Sequence, residues 1–305
     1  MMSPIEINFA QLNLQTLYPV FITTLGALAV LVIDLIKTPT KTFNAMFSVA
    51  IVLLALYTLL GTQINQIGFF GMITTDAPAI IGQAIILVAS TLFLPLSLTS
   101  QRFHEYEYSE FFALFLFMVT GFQVMVSTDN IILMFISLET ASLALYTLIA
   151  MHNRDRSIEA AIKYFTMGAL AAGFFAFGGA LFYLATGSVN LTESYAAIEA
   201  SGVKNYEALL IALVFLIGAI GFKLSIVPLH TWTPDVYEGA SAPLAGYMSI
   251  VPKIATFVLA LRLFEYLVSI DVEWIKTMLW IAAVTTMTIG NILALVQESV
   301  KRMLA

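Results

Sequence analysis

Nine apolar stretches of roughly twenty residues, separated by polar connections, decide what this chain can fold into. A helix rises about 1.5 Å per residue, so roughly 20 apolar residues cross the hydrocarbon layer of a bilayer. Within that layer every backbone amide and carbonyl needs an internal partner, which leaves helices and closed barrels as the spanning forms. The stretches fall at about 17–36, 44–61, 78–98, 111–127, 130–150, 160–185, 208–229, 243–268 and 273–296. The fourth and fifth are joined only by Thr128-Asp129-Asn130, a tight helical hairpin. Pro228 interrupts the seventh, because proline removes an amide and clashes with the preceding turn. The expected fold is all-α: a polytopic transmembrane bundle of nine spans with a broken seventh helix.

Composition agrees and excludes several chemistries. The chain is 60% hydrophobic and 10% charged with a mean hydropathy of +0.94, against about 25% charged in a soluble domain. The net charge of -6 comes from acids spread along the loops. With no Cys, the chain holds no disulfide, thiolate metal site or cysteine-ligated iron–sulfur cluster. The three histidines lack metal-ligand spacing, no glycine-rich dinucleotide or phosphate loop occurs, and no basic, aromatic-laced surface suggests nucleic acid. No cofactor or metal is therefore expected on this chain, and its surroundings are the lipid bilayer. The N-terminal Met-Met-Ser-Pro-Ile-Glu-Ile-Asn has no basic region and does not read as a cleavable signal.

Lysines and arginines set the orientation. The connections after spans one, three, five and nine carry Lys37 and Lys41, Arg102, Arg154 and Arg156, then Lys301 and Arg302. Those after two, four, six and eight carry Asp76, Asp129, then Glu193, Glu199 and Glu207 with one Lys204, then Asp271 and Glu273. The basic set faces the cytoplasm, so the N-terminus faces outside. The connection 186–207, rich in Ser, Thr and Asn, is read as an external loop.

Few charges remain within the hydrocarbon. By helical rise Glu139 lies roughly 14 Å into span five and Lys253 roughly 15 Å into span eight, near mid-bilayer, while Lys223 lies about 22 Å from the outer end of span seven. Burying a charge at such depth costs about 2.5–3.5 kcal/mol on insertion scales, so an intramembrane ionisable group is a functional candidate by default. Pro252 frees the carbonyl of Met248 beside Lys253, and an exposed carbonyl at depth needs protein or water to cover it. A lysine beside water can both take up and release a proton. Lys163, four residues after Glu159, reads equally as a surface helix pair or a relay, and His230 as a turn histidine or a relay. Arg262 and Glu265 are read as interfacial anchors, and Trp232 and Tyr237 as an aromatic belt. Gly168, Gly173, Gly178 and Gly179 suit close helix packing.

Gly221-Phe-Lys-Leu-Ser-Ile-Val-Pro-Leu-His-Thr-Trp-Thr-Pro-Asp-Val-Tyr-Glu-Gly-Ala-Ser-Ala-Pro243 resembles the motif of the subunit N family of NADH-quinone oxidoreductase, bacterial respiratory complex I. Plastid and cyanobacterial NDH-type subunit 2 shares it, and the wider family includes the large subunits of Mrp-type cation/proton antiporters. The resemblance implies a proton relay in which Glu139 pairs with Lys223 and Lys253 passes charge laterally. It implies a three-helix segment over 1–110, an antiporter-like repeat of helices four to eight over 111–270, and the start of an inverted second repeat over 271–305. It also implies a translocase subunit of the bacterial inner membrane that works with other membrane-arm subunits. NADH, flavin, iron–sulfur clusters and quinone would sit on those partners. The family continues into a tenth helix where this sequence stops, so a fragment or a truncated product is expected. An antiporter without redox partners, or a non-pumping spacer of the membrane arm, fits the same residues.

Overall fold

The computed structural model describes residues 12–99, 104–202, 205–269 and 273–305. Among them, nine helices are long and apolar enough to cross a membrane. In chain order these are α1 (Tyr18–Ile36), α2 (Lys41–Leu60), α3 (Ala77–Thr99), α4 (Ser109–Ser127), α5 (Ile131–Ala150), α6 (Asp155–Thr186), α8 (Tyr206–Leu224), α10 (Ala242–Ser269) and α11 (Glu273–Leu295). Three shorter helices, α7 (Leu191–Ser201), α9 (Thr233–Gly239) and α12 (Val300–Leu304), lie between or after them, and a two-stranded hairpin pairs Ile67–Gly68 with Ile73–Thr74. The all-α transmembrane fold expected from the apolar runs is the fold found.

The bundle is built around α4. Its Phe111, Phe112, Phe115 and Phe122 are all buried, as a helix apolar on every side must be when other helices surround it. It packs against α1, α3, α5 and α10, while α6 lies along α5 and α8. Asparagine side chains cap the starts of two spans that carry the site. Asn130 accepts from the amides of Ile132 and Leu133 at the head of α5, and Asn205 accepts from Ala208 at the head of α8.

Three expectations need correction. The connection 186–207 is not a loop throughout, because it contains α7. Asn190 caps this helix through the Glu193 amide, and Glu193 stands three residues after its cap, a start signal readable in the sequence. Span six begins at Asp155 rather than 160, so Lys163 sits about two turns into its helix. Span seven ends at Leu224 rather than 229. Arg102, Lys204 and Asp271, used for the orientation, lie outside the described residues.

Charged groups separate to two ends. At the acidic end, the hairpin, the α4–α5 connection and the stretch before α7 are laced together: Ile73 bridges Thr128, Asn130 bridges Asn190, and Asn190 Nδ2 donates to the Gly71 carbonyl. At the basic end, Arg156, Lys301 and Arg302 gather around α9.

Candidate functional site at the broken seventh span

The break begins where α8 runs out of amide donors. Ser225 adopts a left-handed conformation (φ 59°), and the Ile226 amide reaches back to the Gly221 carbonyl at 2.8 Å. Pro228 then forbids a return to regular helix. The backbone groups so released, a carbonyl and an amide, are answered by protein. Trp232 folds under the helix end and its indole Nε1 donates to the Phe222 carbonyl at 3.2 Å. Thr286 of α11 accepts from the Val227 amide at 3.1 Å. Trp232 and Tyr237 are buried, so neither belongs to an aromatic belt. Tyr237 donates its hydroxyl to the Met248 carbonyl at 3.0 Å, the group that Pro252 frees one turn along α10. Both aromatics serve the interruptions that proline introduces.

Lys223, the penultimate residue of α8, is buried. Its Nζ donates to Ser142 Oγ at 2.7 Å and lies 3.5 Å from the Tyr146 hydroxyl. The rings of Tyr146, Tyr164 and Phe222 stand 5.7, 5.5 and 5.7 Å from the ammonium, within cation–π reach. Glu139, Ser142 and Tyr146 are spaced i, i+3, i+7 and share one stripe of α5. The structure thus brings Glu139 and Lys223 to the same helix contact without a hydrogen bond or ion pair between them. Glu139 Oε1 is buried and has no hydrogen-bond partner. Lys223 rests on two hydroxyls within an aromatic surround, while the pairing with Glu139 that the resemblance implies is not a direct contact here. Tyr146 reaches its place because position 168 on α6 is glycine: a Cβ there would collide with the Tyr146 hydroxyl.

Lys253, beside Pro252 on α10, donates to Ser225 Oγ at 2.6 Å, and the same oxygen accepts from Thr233 Oγ1 at 2.7 Å. The Tyr164 and Trp232 rings stack at 4.5 Å and lie between the two lysines, with Lys253 Nζ 6.0 Å from the Trp232 centroid. A cavity of about 270 Å³ opens beside Lys253, lined also by Ser225, His230, Thr286, Gln297 and Arg302. This cavity opens at Lys253, and Lys223 does not line it. His230 Nδ1 is buried without a partner.

Lys163 bonds Glu159 at 2.7 Å and Asp235 at 3.0 Å, and is half exposed. Arg302 bridges Asp235 and Glu238 at 2.7 and 2.9 Å, and a second cavity of about 150 Å³ lies among these groups. The Lys163 ammonium bonded to Asp235 holds that carboxyl below its ordinary range, with Arg302 acting in the same sense. Gly239 lets α9 close on α6, since a Cβ there would stand 2.8 Å from the Arg156 carbonyl oxygen. Arg262 is not an interfacial anchor: it is buried and donates to Asp76, Asp129 and the Val126 carbonyl. The side chain of Glu265 lies outside the described residues. Sequence reading missed Ser142, Tyr146, Tyr164 and Ser225. The i, i+3, i+7 stripe from Glu139 to Tyr146 held a usable signal for the first two.

A family profile described as NADH:quinone oxidoreductase/Mrp antiporter, TM, matches residues 128–305. The NADH-quinone oxidoreductase subunit N of Sulfurimonas denitrificans is 56% identical across the whole chain, and that of Sulfurovum sp. is 53% identical. The chain spans 62% of the length of each of these relatives. A chain of respiratory complex I from Thermus thermophilus with bound aureothin superposes at a TM-score of 0.78 with 30% identity, covering 94% of this chain and 60% of that one. A chain of the archaeal membrane-bound sulfane sulfur reductase superposes at 0.80 with 23% identity, over 94% of this chain and 61% of its own, a likeness of fold alone. The profile begins at Thr128 and runs through α5, α8 and α10, and the chain belongs to the NADH:quinone oxidoreductase/Mrp antiporter transmembrane family.

Proposed function

We propose that this chain moves protons across a bacterial inner membrane as an antiporter-like membrane-arm subunit of a complex I-type NADH:quinone oxidoreductase. NADH, flavin, iron–sulfur clusters and quinone belong to partner subunits in this reading, and the orientation is N-terminus outside. The observation that carries it is the placement of two lysines, Lys223 buried and Lys253 half-buried, on either side of one helix break, with the buried, unpartnered Oε1 of Glu139 one turn from the serine that holds the first. Fixed structural charges are paired, as Arg262 is; Lys223 and Lys253 rest on hydroxyls, which can exchange a proton-bearing ammonium without separating an ion pair.

Lys253 takes up and returns protons through the cavity at the basic end, where His230 stands as a relay beside it. Lys223 exchanges charge with Lys253 across the end of α8, and Glu139 balances the charge of Lys223. Lys163 lines the second, smaller cavity, where Asp235 and Glu159 gather protons and cations.

The test is proton uptake driven by quinone reduction in vesicles carrying the full-length subunit in its complex, with assembly checked separately. Glu139→Gln and Lys223→Ala each lower uptake, and the double change is little worse than the worse single, as expected for residues acting as one unit. Normal pumping by either single variant overturns the relay. Uptake that needs a sodium gradient and ignores quinone supports an antiporter instead. Orientation is read separately by labelling Arg156→Cys and Thr192→Cys, both at exposed positions of a cysteine-free chain. An impermeant thiol reagent outside the cell reaches only the second.

A further inference from the structure

Glu139, Ser142 and Tyr146 present three polar groups to α8 along one face of α5, and Lys223 uses only the second and third. Ser142 is buried and its hydroxyl donates to the Leu138 carbonyl at 2.6 Å, one turn back on its own helix. That leaves its lone pairs as a fixed acceptor aimed at α8. The Tyr146 hydroxyl is held beside it by the missing side chain at Gly168 and by the edge-on contact with Tyr164 at 4.7 Å. One turn toward the acidic end, Glu139 Oε1 is buried with no donor. An ammonium carries three donors on a flexible four-carbon stem. A buried carboxylate oxygen without a donor is costly, and a lysine one turn away is the group able to relieve it.

We infer that Ser142, supported by Tyr146, is a positioning residue that forms one of two seats for the Lys223 ammonium, the other being Glu139. Building on the relay reading, this assigns the choice of seat to a serine. With the ammonium on Ser142, the lysine stands beside the Tyr164–Trp232 stack that faces Lys253. With the ammonium on Glu139, it is drawn one turn along α5, away from the break. The hydroxyl is neutral, so it holds the charge without trapping it as a carboxylate would. The aromatic faces of Tyr146, Tyr164 and Phe222 offset part of the lost hydration while the lysine occupies that seat.

The experiment is infrared difference spectroscopy of the assembled complex in vesicles, with the Glu139 carboxyl band identified by its loss in Glu139→Gln. Ser142→Ala removes the neutral seat, the ammonium moves to Glu139, and the band shifts. Ser142→Thr keeps the acceptor and restores the original band. Proton uptake in Ser142→Ala falls by roughly ten- to a hundredfold, the range that a hydrogen bond to a charged group is worth, and recovers in the threonine variant. Gly168→Ala, which displaces the Tyr146 hydroxyl without touching Ser142, shifts the band in the same sense by less. A band that stays in place in Ser142→Ala overturns the two-seat assignment. If that happens while Glu139→Gln and Lys223→Ala are inactive, the assignment falls and the relay stands. If those two pump normally, the relay falls whatever the band does.

Discussion

At the acidic end one buried arginine gathers two carboxylates and a carbonyl, whereas at the basic end Lys163, Arg302 and Arg156 share three carboxylates at the surface beside two cavities. The difference is one of desolvation more than of charge number. The Arg262 side chain is 6% exposed, so its contacts with Asp76 and Asp129 act with little screening; the Lys163 side chain is 45% exposed and water weakens its pairs. Arg262 also ties α10, which carries Lys253, to the connection from which α5 starts toward Glu139. One end is fastened and the other is accessible. The proposed relay must keep protons from crossing in a single step, and that asymmetry between the two ends is what it calls for.

The sharpest way to break the comparison is Arg262→Met. It leaves two carboxylates facing each other without their cation, and removing one partner from a buried ion cluster costs about 3–5 kcal/mol. Burial already pushes the Asp129 carboxyl up, with Arg262 pulling the other way, so the variant takes up a proton there. Thermal unfolding of the full-length subunit in detergent shows a large loss; a melting curve like the wild type's means the acidic end is not fastened by this residue.

A smaller effect is expected at the plug between the ends. Tyr237→Phe strips the donor from the Met248 carbonyl and costs about 1–3 kcal/mol, the penalty of an unsatisfied buried acceptor. In a Pro252→Ala background the alanine amide can bond that carbonyl, so the same change costs less. Equal losses in both backgrounds, measured by denaturant titration, rule out the tyrosine as the proline's substitute donor.

The smallest effect lies at the basic end. Asp235→Asn removes partners of Lys163 and Arg302 but costs under about 1 kcal/mol, because these pairs are partly exposed. The Asp235 carboxyl is held below its ordinary value, so its contribution is present above about pH 4 and disappears as the pH falls through the depressed value. Stability is then flat in this respect near neutrality. A stability difference between wild type and Asp235→Asn that grows from pH 6 to pH 8 contradicts that sign.

The fold was legible because apolar length is a property of sequence alone: all nine spans could be placed before any contact was known. The lysines were legible for the same reason, since a charge within apolar text stands out. What could not be read was pairing across helices. Arg262 looks like an anchor until Asp76, 186 positions away, is seen to reach it. Trp232 looks interfacial because its partner is the Phe222 carbonyl that the break itself exposes. Ser142 was invisible as a lysine acceptor, since serines bonding the carbonyl four residues back are ordinary in apolar helices. The break at Ser225 was placed a few residues late because proline marks where a helix cannot resume, while the left-handed residue marks where it stops.

The stacked indole of Trp232 has an optical consequence. The chain carries three tryptophans, and Trp280 is 67% exposed on α11. Replacing Trp274 and Trp280 leaves a single emitter wedged between Tyr164 and the Lys253 ammonium. A cation near an indole face shifts and quenches its emission. Under the proposed relay, loss of the proton from Lys253 changes the colour and brightness of that one residue, so the proposal can be followed by light from inside the break.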